Sequence, residues 1–184
     1  MPIPRSQNKV EPSGRLYWLT GLAGAGKTTL GHLLINQIRE NKPQSVFLDG
    51  DSLREVFDID GGVKPAERLQ LAMRYARLCR DLTKQNLDVV CCTISLFPEV
   101  WYWNRKNIPG YREIYVRVPM EILKRRDKKG LYTSAQNGEI QNVVGVDLPF
   151  NEPTRPDLII DNDGSSDPQT ISSQIFLVLG DHPR

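Results

Sequence analysis

Residues 21–28 read Gly-Leu-Ala-Gly-Ala-Gly-Lys-Thr, the spacing G-x-x-x-x-G-K-[ST]. The octet follows the apolar run Leu16-Tyr17-Trp18-Leu19 and precedes Leu30, Leu33, Leu34 and Ile38, which recur at helical spacing. Strand, glycine loop and helix in that order make an anion cradle. Glycines let backbone N–H groups curl around phosphate oxygens where side chains would block the approach. The helix that follows points its positive end at the same anion. Lys27 is placed to reach terminal phosphates, and the Thr28 hydroxyl to ligate Mg²⁺. A chance glycine turn would not match all eight positions with both flanks correct.

The rest of the chain alternates apolar runs with helical patterns, which predicts an α/β fold with a mostly parallel sheet. Strands are expected at 16–20, 45–48, 87–92, 113–118 and 157–160, and helices at 27–40, 65–85, 119–127 and 169–179. Residues 128–156 lose periodicity and are rich in Gly, Asn and Pro, so they read as a structureless lid, with its moving part at about 128–150. Residues 1–14 read as a flexible leader and 15–184 as a single domain.

Composition excludes several classes. The net charge is +2, so no basic field calls for a nucleic acid polymer. No apolar run approaches the length of a membrane span, and the leader lacks the apolar core of a secretory signal. The three cysteines have neither zinc-site spacing nor an even disulfide count. A reducing, cytoplasmic setting is the expectation. A regulatory GTPase would need a guanine-reading N-K-x-D, and none is present.

A second constellation, Leu48-Asp49-Gly50-Asp51-Ser52-Leu53-Arg54, follows the second strand, where ligands gather in open α/β sheets. A carboxylate there can take a proton from an attacking hydroxyl or hold a metal's water shell. Arg54 lies three residues from Asp51, on the same helical face. The plain alternative is that Asp51 caps the next helix.

With these residues in place, the chain resembles the adenylylsulfate kinase family, which phosphorylates the 3′-hydroxyl of adenosine 5′-phosphosulfate with MgATP. The resemblance covers about residues 15–163. It rests on GLAGAGKTTL, on LDGDSLR, on Ser95 after the third strand and on residues 126–153, RDKKGLYTSAQNGEIQNVVGVDLPFNEP. It implies a P-loop kinase fold with a five-stranded parallel sheet flanked by helices and a lid. ATP would sit on Gly21, Leu22, Ala23, Gly24, Ala25, Gly26, Lys27, Thr28 and Thr29, with Arg126 against its base. Asp51 matches the catalytic aspartate, acting with Lys27, and Asp49 stands beside it. Arg54 and Arg68 match arginines that hold the acceptor's 5′ anion. Ile94 and Ser95 match the substrate loop, Ser95 being a position once treated as a phosphoserine intermediate. Lys129, Gly130 and Leu131 match the lid, and Val143 a base contact. The resemblance also offers a homodimer as the assembly and a small-molecule nucleotide as the acceptor.

The chain departs from the family at the base pocket. Two family phenylalanines that sandwich adenine are replaced by Val63 and Val143, and the family asparagine is Leu71. The family stretch S-P-Y-R is Ser95-Leu96-Phe97-Pro98. Stacking a base on one ring contributes about 1–3 kcal/mol, so losing both faces weakens adenine binding well beyond tenfold unless Phe97 or Trp101 replaces the stack. The family activity stands as the first expectation. The alternative is a pyrimidine acceptor, since relatives in capsule biosynthesis phosphorylate the 3′-hydroxyl of cytidine diphosphoramidate. From another class, a nucleotide-binding partner module without catalysis would also keep the cradle, although intact Lys27 and Asp51 argue against it.

Overall fold

The structure is a computed structural model that describes residues 13–59, 64–127 and 130–180. Five parallel strands form one sheet: β1 (Leu16–Thr20), β2 (Val46–Asp49), β3 (Val89–Thr93), β4 (Tyr111–Arg117) and β5 (Leu158–Asp161), in spatial order β2-β3-β1-β4-β5. β1 is central, pairing with β3 on one side and β4 on the other. Every residue of β1 and of β3 is buried, which explains why both read as unbroken apolar runs rather than alternating ones.

Helices cover both faces. On one, α1 (Lys27–Arg39) and α7 (Pro168–Leu179) pack on β1, β3 and β4, with Leu30, Leu34, Ile35 and Ile38 buried along the inner stripe of α1. On the other, α3 (Pro65–Lys84) and α4 (Pro98–Asn107) cover Leu16, Trp18, Val89 and Cys91. Three short helices complete the frame: α2 (Gly50–Val56), α5 (Met120–Arg126) and α6 (Leu131–Gln136). No helix among the described residues is long and apolar enough to cross a membrane.

The five strands and the four expected helices, observed as α1, α3, α5 and α7, stand within two residues of their expected ends. The lid expectation needs correction. Residues 131–136 are helical, because Asp127 accepts hydrogen bonds from the backbone N–H groups of Tyr132 and Thr133 and so caps α6. The turn after it is also ordered. Asp147 accepts from the N–H groups of Asn142 and Val143, and Val144 bridges Leu148. The cap alternative for the second strand end is corrected too: the residue that caps α2 is Asp49, whose carboxylate accepts from the Asp51 N–H at 2.9 Å.

Candidate active site

The order of strands reverses about β1, and the loop that leaves its C-terminal end is the glycine octet. Gly24 and Gly26 have φ of 74° and 91°, values that an L side chain rarely adopts. A Cβ on Gly26 would also stand 2.5 Å from the Asn162 amide nitrogen. That amide, just past β5, donates to the Ala25 carbonyl at 2.8 Å and fixes the loop from behind. Gly21, Leu22 and Ala25 are buried; Gly24, Thr28 and Thr29 are exposed on the open side, with Ala23 half-buried.

Lys27 is 8% exposed, and its ammonium donates to the Leu22 carbonyl at 2.8 Å across the loop. Burial pulls its pKa down to about 8, against the opposing charges of Cys92, Asp49 and Asp51. Thr28 donates its hydroxyl to Asp49 at 2.7 Å. Asp49 therefore touches both the loop and α2: one carboxylate oxygen takes Thr28, the other the Asp51 N–H. Asp51 itself is exposed at the first turn of α2 and forms an ion pair with Arg54.

Arg68, in the first turns of α3, donates to the Asn142 carbonyl at 2.6 Å. This contact ties the turn that carries Val143 to α3. Val143 is 6% exposed, in the core that also holds Trp101 and Tyr132, and Leu71 is 7% exposed, in the core that holds Trp18 and Tyr75. Ile94 is half-buried, and its carbonyl accepts from Thr20. Ser95 is 6% exposed; its hydroxyl accepts from Thr93 at 2.7 Å and its carbonyl from the Trp101 indole at 3.1 Å. These bonds hold the end of β3 and aim the hydroxyl into the protein, an arrangement unlike that of an exposed nucleophile.

Arg126 ends α5, with a guanidinium nitrogen 3.5 Å from the space a Cβ on Gly164 would fill. Gly130, at φ 65° in open space, and Leu131 begin α6. Lys129 and Val63 lie outside the described residues.

Sequence reasoning missed three groups. Tyr132 of α6 is 1% exposed and donates its hydroxyl to the Ala23 carbonyl at 2.8 Å, tying the lid segment to the glycine loop. Asn162 and Asp147, described above, were equally silent. Asn162 had one signal, a lone amide directly after an apolar strand; Tyr132 has its partner far away in sequence, and Asp147 closes a local turn with no periodicity to mark it. In the consecutive aromatic residues Trp101-Tyr102-Trp103 of α4, Trp101 is core, Tyr102 is exposed and Trp103 lies beneath the Arg80 guanidinium. Cys91 and Cys92 are packing residues whose thiols burial pushes well up.

A glycine cradle with a buried lysine, facing a carboxylate and two guanidinium groups at the carboxyl ends of a parallel sheet, defines a P-loop phosphotransferase. The sequence model of adenylylsulphate kinase matches residues 13–161. Cytidine diphosphoramidate kinase of Campylobacter jejuni is 43% identical over 152 residues, covering 80% of this chain and 85% of that protein. A probable adenylyl-sulfate kinase of Bacillus subtilis is 32% identical, covering 92% and 87%. Among solved structures, an APS kinase of Mycobacterium tuberculosis in complex with AMPPNP and APS superposes with a TM-score of 0.84 at 29% identity, covering 92% of this chain and 99% of that one. The chain belongs to the adenylylsulphate kinase family and is a nucleotide kinase of that family.

Proposed function

We propose that the protein transfers the γ-phosphate of ATP to the 3′-hydroxyl of a pyrimidine nucleotide, a cytidine 5′-diphosphate derivative of the cytidine diphosphoramidate kind. The observation that carries the choice of acceptor is the pair of aliphatic side chains Leu71 and Val143, at positions where family members that take adenosine 5′-phosphosulfate carry an asparagine and a phenylalanine. The 43% identity to a cytidine diphosphoramidate kinase supports the same reading, against 35% to an adenylyl-sulfate kinase.

The mechanism follows from the groups in place. ATP phosphates lie on the N–H groups of residues 21–28, and Lys27 exchanges the Leu22 carbonyl for phosphate oxygens. Oxygen donors alone, the Thr28 hydroxyl and the Asp49 carboxylate 2.7 Å away, suit a hard cation that keeps most of its ligands as water and phosphate. Bound there, Mg²⁺ would neutralise charge on the phosphates. Arg54 and Arg68 hold the acceptor's diphosphate, and Asp51 takes the proton of the attacking hydroxyl. The new O–P bond forms as the bond from the γ-phosphorus to the bridging oxygen breaks, and ADP leaves. Residues 130–148 lie over the loop and exclude water, which would otherwise take the phosphoryl group.

The second reading is the activity of the family description, with adenosine 5′-phosphosulfate as acceptor and the half-buried ring of Phe97 supplying the stack, Trp101 being held in the core. ADP release measured with both acceptors separates the two. The proposal expects kcat/KM for the cytidine compound to exceed that for adenosine 5′-phosphosulfate by at least tenfold. The reverse preference overturns the choice of acceptor.

A further inference from the structure

The phenol oxygen of Tyr75 is buried, its residue only 4% exposed, and it meets no hydrogen-bond partner among the described residues. A hydroxyl left alone in a core opposes folding, so a lone one calls for a reason. The other unpartnered buried side-chain atoms belong to Trp18, Asn104, Tyr111 and Glu113, on β1, α4 and β4. Tyr75 instead lies two turns along α3 from Arg68. Helical side chains lean toward the N-terminus of their helix, and on α3 that is the end with Arg68 and Leu71. The Phe57 ring, at the end of α2, packs on the phenol with centroids 5.9 Å apart. The ionic groups that bear on the phenol are Arg54 first, then Cys91 and Asp51.

Arg54 is at present engaged with Asp51. In that state the carboxylate and the guanidinium are engaged with each other rather than with an acceptor. A single movement of Arg54 would relieve both residues and also give the phenol its missing partner.

We propose that Tyr75 is the second seat of Arg54: when an anionic acceptor binds, the phenol oxygen accepts a guanidinium N–H, the outer N–H groups face the acceptor's anion, and Asp51 is released to the acceptor hydroxyl. Tyr75 is thus a positioning residue that acts through Arg54. The inference rests on the nucleotide-kinase reading above.

Tyr75→Phe keeps the ring and its packing on Phe57 and removes only the seat. The acceptor KM, and the Kd for cytidine 5′-diphosphate measured by calorimetry, should each rise about tenfold. The ATP KM should not move. The melting temperature of the free protein should hold or rise, because the lost hydroxyl had no partner. In an Arg54→Ala background the same substitution should add nothing further. A Tyr75→Phe protein with the wild-type Kd for cytidine 5′-diphosphate overturns the proposal. So does an equal effect with and without Arg54, or a lower melting temperature with both KM values raised together, the mark of a packing residue. Calorimetry keeps the two readings apart. Wild-type binding of cytidine 5′-diphosphate without turnover of any acceptor defeats the kinase reading, while the ratio of Kd values still decides on the seat. No binding by the wild type defeats both.

Discussion

Lys27 shows at the residue scale how a cradle is held ready. Its ammonium is buried against the Leu22 carbonyl, and burial brings its pKa from 10.5 to about 8. Phosphate oxygens favour the charged form, so the bound pKa is higher than the free one. Below about pH 8 the lysine carries its proton both free and bound, and affinity for ATP is independent of pH from this source. Above pH 8 binding must take up a proton, so affinity should fall by about tenfold per pH unit until the bound pKa is reached. Calorimetry at pH 7 and pH 9, in buffers of different ionisation enthalpy, measures both the affinity loss and the proton uptake. A flat affinity with no proton uptake would mean that Lys27 is not the group the phosphates contact. The residues of this loop were legible in the sequence because every requirement on them is local: glycine where φ is positive, lysine and threonine at fixed offsets. The pairing of Thr28 with Asp49 was not, since it joins the first turn of α1 to the end of β2, which only the folded sheet brings together.

At the scale of elements, α6 decides how the loop is covered. It is six residues long, with no full apolar period of its own, and it stands because Asp127 caps it and Tyr132 anchors it on Ala23. That is why residues 128–156 read as structureless, although residues 131–136 and the turn at 142–148 are ordered. Longer elements with their own periodicity, such as α1 and α3, were readable from spacing alone. Tyr132→Phe leaves the Ala23 carbonyl short of a partner and removes a hydrogen bond with a net worth of about 1 kcal/mol. The expected result is a kcat about fivefold lower, together with more ATP hydrolysed in the absence of acceptor. Phosphate release without acceptor checks it; unchanged leakage would show that α6 does not control water entry.

At the scale of the whole molecule, the parallel sheet brings residues from distant parts of the chain to one end and carries a stability cost at the other. Glu113 of β4 is 2% exposed beside Trp18, and burial raises its pKa from 4.5 to about 7 against the pull of Arg105. The folded protein therefore holds the extra proton between those values, and stability from this group is lost as pH rises from about 4.5 to about 7. Glu113→Gln should melt higher than the wild type at pH 8, with the gap closing toward pH 5; thermal unfolding at the two values tests this. The class of fold was legible because strands and helices alternate, but which strand lies next to which depends on nonlocal packing. The aliphatic residues Leu71 and Val143 were legible in the sequence, but the separate cores into which they pack, on α3 and in a distant turn, were not. The most direct test of the account is the structure of the product formed from ATP and cytidine diphosphoramidate, read by phosphorus NMR and mass. The account predicts one new phosphomonoester on the ribose 3′-oxygen and an equal amount of ADP. Inorganic phosphate with unchanged acceptor, or transfer confined to adenosine 5′-phosphosulfate, would contradict it.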